Sequence, residues 1–143
     1  MLEAGQKAPA VESITLPETK VLLVFFKVSC PTCQLTLPFL ERLHRSGRLP
    51  IFGISQDGPK ATGDFTKAFG LTFPTVMDSA ADRYPASNAF EITNVPSLFL
   101  VGQNRTIEWS AEGFSRRELE DLGSSVDAAV FRAGERVPEF KPG

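Results

Sequence analysis

Cys30 and Cys33 are the only cysteines in the chain, and their Cys-x-x-Cys spacing allows three kinds of chemistry: a structural disulfide, half of a zinc site, or a redox pair. A zinc site usually takes four ligands, and only His44 and acidic residues remain to complete one. A structural bridge closing so short a loop restrains the unfolded chain little and contributes little stability. Redox exchange is therefore the favoured chemistry, with one thiolate attacking a disulfide sulfur and the second thiol resolving the product. His44 lies eleven residues past Cys33, about three helical turns. That is too far to serve as a base for the pair, and it reads as a surface or flank residue.

The elements around the cysteines must present them. Val21–Phe26 is a run of six β-branched, leucine or phenylalanine residues with no polar face, as expected of a strand buried on both sides. After the cysteines, Leu37, Leu40 and Leu43 recur at helical spacing, with Leu35 and Phe39 widening the stripe and Gly47 offering a left-handed terminus. Cys30 then falls where a buried strand hands over to a helix. The unpaired N–H groups of a first helical turn, and the positive end of the macrodipole, favour thiolate there. Pro31 suits the first helical position, where its missing N–H is no loss, and Cys33 follows one turn later. Cys30 is expected to be the exposed nucleophile and Cys33 its shielded resolving partner. Pro38 removes a hydrogen bond inside this helix and is expected to kink it. Lys27 could stabilise a thiolate, although a strand-end lysine reaching into solvent is the preferred reading.

With 143 residues, 42% of them apolar and 12 of them Phe, the chain is expected to form one domain over 1–143, with its core over about 4–131. Such a domain buries roughly two thirds of its unfolded surface. A net charge of -2 with scattered charges lacks the clustered basic face that nucleic-acid binding needs. No apolar run approaches the roughly 18 residues of a membrane span. The opening MLEAGQKAPA lacks a basic region followed by a hydrophobic core, so no signal peptide is read. A cytoplasmic location is expected, or a periplasmic one if a leader has been trimmed.

Along the chain, residues 11–16 read as a short edge strand ended by Pro17, and 49–55 as a second buried strand. A turn cluster follows over 56–63, then a helix over 64–69 closed by Gly70, and a short strand at 75–77. Residues 79–90 hold helical patches, with Pro85 opening a turn at Ala86. Pro96 heads an apolar strand over 94–101, and a three- or four-residue turn leads to a partner strand over 106–109. Trp109 and the phenylalanines read as packing residues. The last helix starts at a capping box, Ser115 to Glu118, and carries Leu119, Leu122, Val126 and Val130 at spacings of three and four. Residues 132–143 are polar and Pro/Gly-rich, a tail that need not be ordered.

This order of strands and helices, with Cys-x-x-Cys at the first strand-to-helix junction, resembles the thioredoxin fold. That is an α/β, three-layer arrangement with a central mixed β-sheet flanked by helices. GQKAPA near the start, CPTC, Pro38, Val95-Pro96 and the stretch FTKAFGLTFPTVMD are together similar to the TlpA/ResA-type and AhpC/TSA-like redoxin branch, over about residues 4–131. The resemblance implies a thiol-disulfide oxidoreductase in which Cys30 attacks and Cys33 resolves. It implies a cis peptide before Pro96, with Pro31, Thr32, Val95 and Pro96 meeting the substrate and the backbone of Val95 offering an edge to a polypeptide. The implied partners are protein or small-molecule disulfides and an external thiol redox partner. No cofactor is implied beyond the Cys30–Cys33 disulfide itself, and a monomer is expected.

The chain departs from that pattern in two places. Val24 stands where thioredoxin keeps a buried aspartate as proton acceptor, and Ser29 replaces the usual aromatic residue. Gln56 and Asp57 lie near where some ResA-type relatives place an active-site acid, but Asp57 beside Gly58 reads first as a turn former. Two other readings stay open. One is a thiol peroxidase with Cys30 forming a sulfenic acid, since peroxiredoxins carry Cys-Pro-Thr; Lys27 stands where they place threonine or serine, and their preceding proline is missing. The other is a metal-handling module like the Sco proteins, whose wider cysteine spacing and distant histidine are absent.

Overall fold

Strand β1 (Val21–Phe26) is buried at every residue because both of its faces are covered. Its alternation sorts the side chains into two cores. Leu22, Val24 and Phe26 join Leu37, Leu40 and Leu43 of α1 (Pro31–Arg45), Phe65 of α2 (Pro59–Ala68), and Leu119 and Leu122 of α4 (Arg116–Ser125). Val21, Leu23 and Phe25 join Ala86 of α3 (Pro85–Ala89), Phe90, and the N-terminal Leu2, Ala8 and Val11. The computed structural model describes residues 1–143 and gives three layers, as the resemblance implied.

The middle layer is a five-stranded mixed sheet. β1 is its centre, parallel to β2 (Ile51–Ser55) and antiparallel to β4 (Ser97–Val101). β3 (Thr75–Met77) runs parallel beside β2, and β5 (Ile107–Glu112) runs antiparallel beside β4, in the order β3-β2-β1-β4-β5. The register Phe25↔Ser97 and Val21↔Val101 puts the start of β4 beside the end of β1. The proline loop before β4 and the cysteines after β1 therefore meet at one end of the sheet. Gly53 in β2 marks a tight crossing: a Cβ there would stand 2.8 Å from Thr75 Oγ1 and 2.9 Å from the Phe73 ring.

Five expectations need correction. Residues 11–16 form no strand, since Ser13 adopts φ 68°, outside the extended range. Val11, Ile14 and Leu16 instead pack on the second core, and the nearest pairing is a single bridge between Lys7 and Thr106. α2 begins at Pro59 rather than at 64, because Gly58-Pro59 is a helix start with proline in the first turn, not part of a turn cluster. The β4–β5 connection runs over residues 102–106 and contains a 3-10 turn at Gln103–Arg105, longer than the turn read from sequence.

Ser115 does cap α4, accepting from the Glu118 N–H at 3.2 Å, but the helix stops at Ser125. Asp127 turns left-handed at φ 57°, and Val130 reaches the core from outside the helix. The polar stretch 132–143 is not a loose tail. Arg42 of α1 makes two 2.7 Å bonds to the Glu135 carboxylate and one of 3.0 Å to Val130 O. The chain then returns, so that β7 (Phe140–Lys141) pairs antiparallel with β6 (Phe114–Ser115). No helix is long and apolar enough to cross a membrane.

Candidate active site

Cys30 is the N-cap residue of α1, with Pro31 in the first turn behind it. Its sulfur accepts a hydrogen bond from the Cys33 N–H at 3.2 Å, taking up one of the donors a helix start leaves unpaired. α1 has no acid in its first turn and carries Arg42, His44 and Arg45 in its last, so its charges agree with the macrodipole and leave the positive end to the sulfur. The approach to the helix is fixed from two sides. Gln34 donates its side-chain amide to Val28 O at 2.9 Å, and the Val28 N–H donates to Asp57 Oδ2 at 2.8 Å.

Cys33 sits one turn inside with no exposed surface. Burial pushes its thiol far above the ordinary range, and the hydrogen bond with Cys30 and the negative charge of Asp57 act in the same direction. The thiol is thus held protonated beside the half-buried Cys30 sulfur. Asp57 is more than a turn former: it is half-buried and bonded to the approach to the helix, and its own N–H donates to Ser55 Oγ at 3.1 Å.

The Val95–Pro96 peptide is cis, and Val95 O lies 3.5 Å from Cys30 Sγ. Pro31, Thr32, Val95 and Pro96 are thereby gathered around the pair, with Pro31 exposed and Pro96 buried. A cleft of about 230 Å³ opens beside the sulfur, lined in part by Lys27, Cys30, Gln56, Asn94, Val95 and Gly143. Gln56 is braced in the wall by a chain of hydrogen bonds. Its amide donates to Ser87 Oγ at 2.8 Å, and Ser87 Oγ donates to Asp78 Oδ2 at 2.6 Å. A larger cavity of about 530 Å³ lies at the other end of the sheet, between Val11, Ile14, Leu16 and the loop 102–105, and contains neither cysteine.

The positions of His44 and Trp109 are settled in this view. Of the surface or flank positions read for it, His44 takes the flank: it is half-buried, edge-on to Phe73 at 6.2 Å, with its Nδ1 enclosed and unbonded. It takes no part in the site. No cluster of three or more histidine, cysteine, aspartate or glutamate side chains forms that could hold a metal ion. Trp109 packs on the first core, as expected.

The sequence reading missed the tail. Thr32 Oγ1 donates to Pro142 O at 2.6 Å, and Gly143 stands at the cleft beside Cys30. Nothing in the polar composition of 132–143 signals this, since its docking combines the Arg42–Glu135 ion pair, bonds to backbone groups and Val137 packed on the first core.

The chain is similar to several known proteins. Sporulation thiol-disulfide oxidoreductase A of Bacillus subtilis is 28% identical over 126 residues, covering 74% of this chain and 74% of its own length. Thiol-disulfide oxidoreductase ResA of Geobacillus kaustophilus is 26% identical over 102 residues; the match covers 68% of this chain but only 57% of ResA. Among solved structures, the thioredoxin domain of a thiol-disulfide oxidoreductase from Bacteroides vulgatus superposes with a TM-score of 0.75 at 19% identity, covering 87% of this chain and 98% of that domain. StoA from Bacillus subtilis gives 0.63 at 23% identity, with 84% and 93% covered. These likenesses establish the thioredoxin fold. The AhpC/TSA pattern itself is matched from residue 4 to residue 110, through the cysteines and the proline loop, and the chain belongs to the AhpC/TSA family.

Proposed function

We propose that this chain is a thiol-disulfide oxidoreductase that exchanges electrons with protein or small-molecule disulfides through Cys30 and Cys33. The observation that carries the reading is the relation of the two sulfurs: an accessible Cys30 at a helix start, with a buried, protonated Cys33 donating its N–H to it. Cys30 thiolate attacks one sulfur of the substrate disulfide, forming a mixed disulfide and releasing the first substrate thiolate. Cys33 then gives up its proton and attacks Cys30 Sγ. The second substrate thiolate leaves, and the Cys30–Cys33 disulfide holds the oxidising equivalent. Two electrons have passed to the substrate, and an external dithiol returns the pair to thiols. Run backward, the same steps oxidise a dithiol.

The raised thiol makes resolution the step that needs a base, because Cys33 does not ionise unaided near neutral pH. Asp57, whose charge acts on Cys33 and whose carboxylate is bonded to Val28, is the acid nearest in role, with Val24 standing where an interior carboxylate would otherwise be. Pro31 and Val95 form the accessible contact surface for the substrate, with the Val95 backbone as its edge, and the buried Thr32 and Pro96 back it from within. One chain holds every group the reaction uses, so a monomer suffices, and the two sulfurs carry the electrons without a bound cofactor. In a reducing cytosol the pair would be kept as thiols and act as a reductant.

The test is the rate at which the reduced protein is oxidised by a protein disulfide against the rate by hydrogen peroxide, in wild type and in Cys33→Ser. Fast exchange with the disulfide, slow reaction with peroxide and a mixed disulfide trapped on Cys30 in the variant are expected. The opposite ranking, with sulfenic acid building up on Cys30, would make the chain a thiol peroxidase.

A further inference from the structure

A third segment reaches the reacting sulfur besides CPTC and the proline loop. Residues 139–143 lie across the mouth of the site, held by backbone contacts. The Arg116 N–H donates to Glu139 O at 3.0 Å, Phe140 and Lys141 pair with Ser115 and Phe114, and Pro142 O accepts from Thr32 Oγ1 at 2.6 Å. Two glycines allow the close fit. A Cβ on Gly143 would stand 2.5 Å from Val95 O, and one on Gly113, whose φ is +72°, would stand 2.8 Å from Lys141 O. The segment therefore rests on the same Val95 carbonyl that faces Cys30 Sγ.

We infer that residues 139–143 are a strap that decides which disulfides reach Cys30: small disulfides enter through the cleft with the strap in place, whereas an extended polypeptide must displace it to pair with Val95. The inference rests on the oxidoreductase reading above. A polypeptide adding itself as a strand needs the main-chain edge free of other chain, and Gly143 is packed against that edge. A small disulfide needs only the sulfur, which stays half-exposed beside the cleft. The strap is also built to leave. All five of its residues are exposed, Phe140 at 63%, and its hold is a two-residue ladder and a few hydrogen bonds. Behind it, the Arg42–Glu135 pair fixes the chain to α1, so a displaced strap stays tethered near the site.

The experiment compares three proteins: the full chain, a variant lacking residues 139–143, and Gly143→Ala, which disturbs the close approach to Val95 and Asn94 while keeping the rest of the strap. Each is reacted with 5,5′-dithiobis(2-nitrobenzoate) as the small disulfide and with insulin as the polypeptide disulfide. Removing the strap is expected to raise the insulin rate about tenfold, the factor that loss of one or two net hydrogen bonds produces. Gly143→Ala should raise it by less, and the small-disulfide rate should stay within about twofold, since the Cys33 N–H bond to Cys30 Sγ is left in place. An unchanged insulin rate, or one that falls in both variants, would overturn the strap. Alkylation of Cys30 is read alongside, with iodoacetamide against a peptide-linked maleimide. Strap removal should speed only the peptide reagent, and equal acceleration of both, or of neither, would also overturn it. Because alkylation needs no exchange activity, absence of disulfide exchange in the full chain would defeat the oxidoreductase reading without deciding the strap.

Discussion

Cys30 and Cys33 are the same residue type three positions apart, and the difference between them is solvent. Cys30 caps the helix at the surface, while Cys33 has its sulfur enclosed by the first core. Burial disfavours the charged form, so the folded Cys33 thiol lies above its unfolded value of about 8.5. The sign for stability follows. Below that value both states keep the proton and Cys33 contributes no pH dependence. Above it the unfolded chain releases the proton and the folded chain does not, so the reduced protein loses up to about 1.4 kcal/mol of stability per pH unit from this group. Urea unfolding of reduced wild type and Cys33→Ala at pH 7, 9 and 10 should show a steeper alkaline decline in wild type. Parallel declines would mean that Cys33 ionises as easily folded as unfolded.

The elements are joined by groups the sequence leaves unremarkable. Glu41 of α1 is almost wholly buried, which by itself would raise its carboxyl. Hydrogen bonds from Thr72 Oγ1, the Thr72 and Phe73 N–H groups and Arg45 outweigh that and hold it below the usual range. This carboxylate fastens the active-site helix to the loop leading into β3. Gly53 does a similar service inside the sheet, where β2 passes against Thr75 and the Phe73 ring. Gly53→Ala should destabilise by about 1–3 kcal/mol, the usual cost of forcing a group into a packed interior. The check is a denaturant midpoint that falls with an unchanged m-value. An unchanged midpoint would mean that β2 and β3 separate freely, contrary to the close crossing.

For the molecule as a whole, the Arg42–Glu135 ion pair and the Thr32–Pro142 hydrogen bond fasten the last twelve residues to the active-site helix. The Arg42 guanidinium beside Glu135, with the Arg132 N–H, holds that carboxyl down at about 2. A depressed carboxyl stabilises above its unfolded value, near 4.3, and loses that contribution as pH falls through its folded value. The docking of residues 132–143 should therefore weaken between about pH 4 and pH 2. Amide hydrogen exchange, corrected for intrinsic rates, should show protection falling at residues 132–143 at pH 3 relative to pH 6 while β1 and β4 stay protected. Glu135→Gln should show the loss already at pH 6. Protection of the segment that is indifferent to both changes would remove the ion pair as its anchor.

The redox pair, the buried strand before it and the helix after it were legible because each rests on local chemistry: two cysteines at fixed spacing, six apolar residues in a row, and a proline suited to a first helical turn. The resemblance added the cis Val95–Pro96 peptide, which local propensity does not supply. Strand 11–16 was misread because apolar residues bury equally well without a ladder, and α2 was started late because Gly-Pro signals both a turn and a helix start. The role of Asp57 at the Val28 N–H and the return of residues 139–143 to Thr32 and Val95 depend on groups far apart in the chain meeting through backbone atoms, and that of Gln56 on its side chain meeting the distant Ser87. Backbone donors and acceptors are the same at every residue except proline, so only the tertiary structure decided which of them would meet.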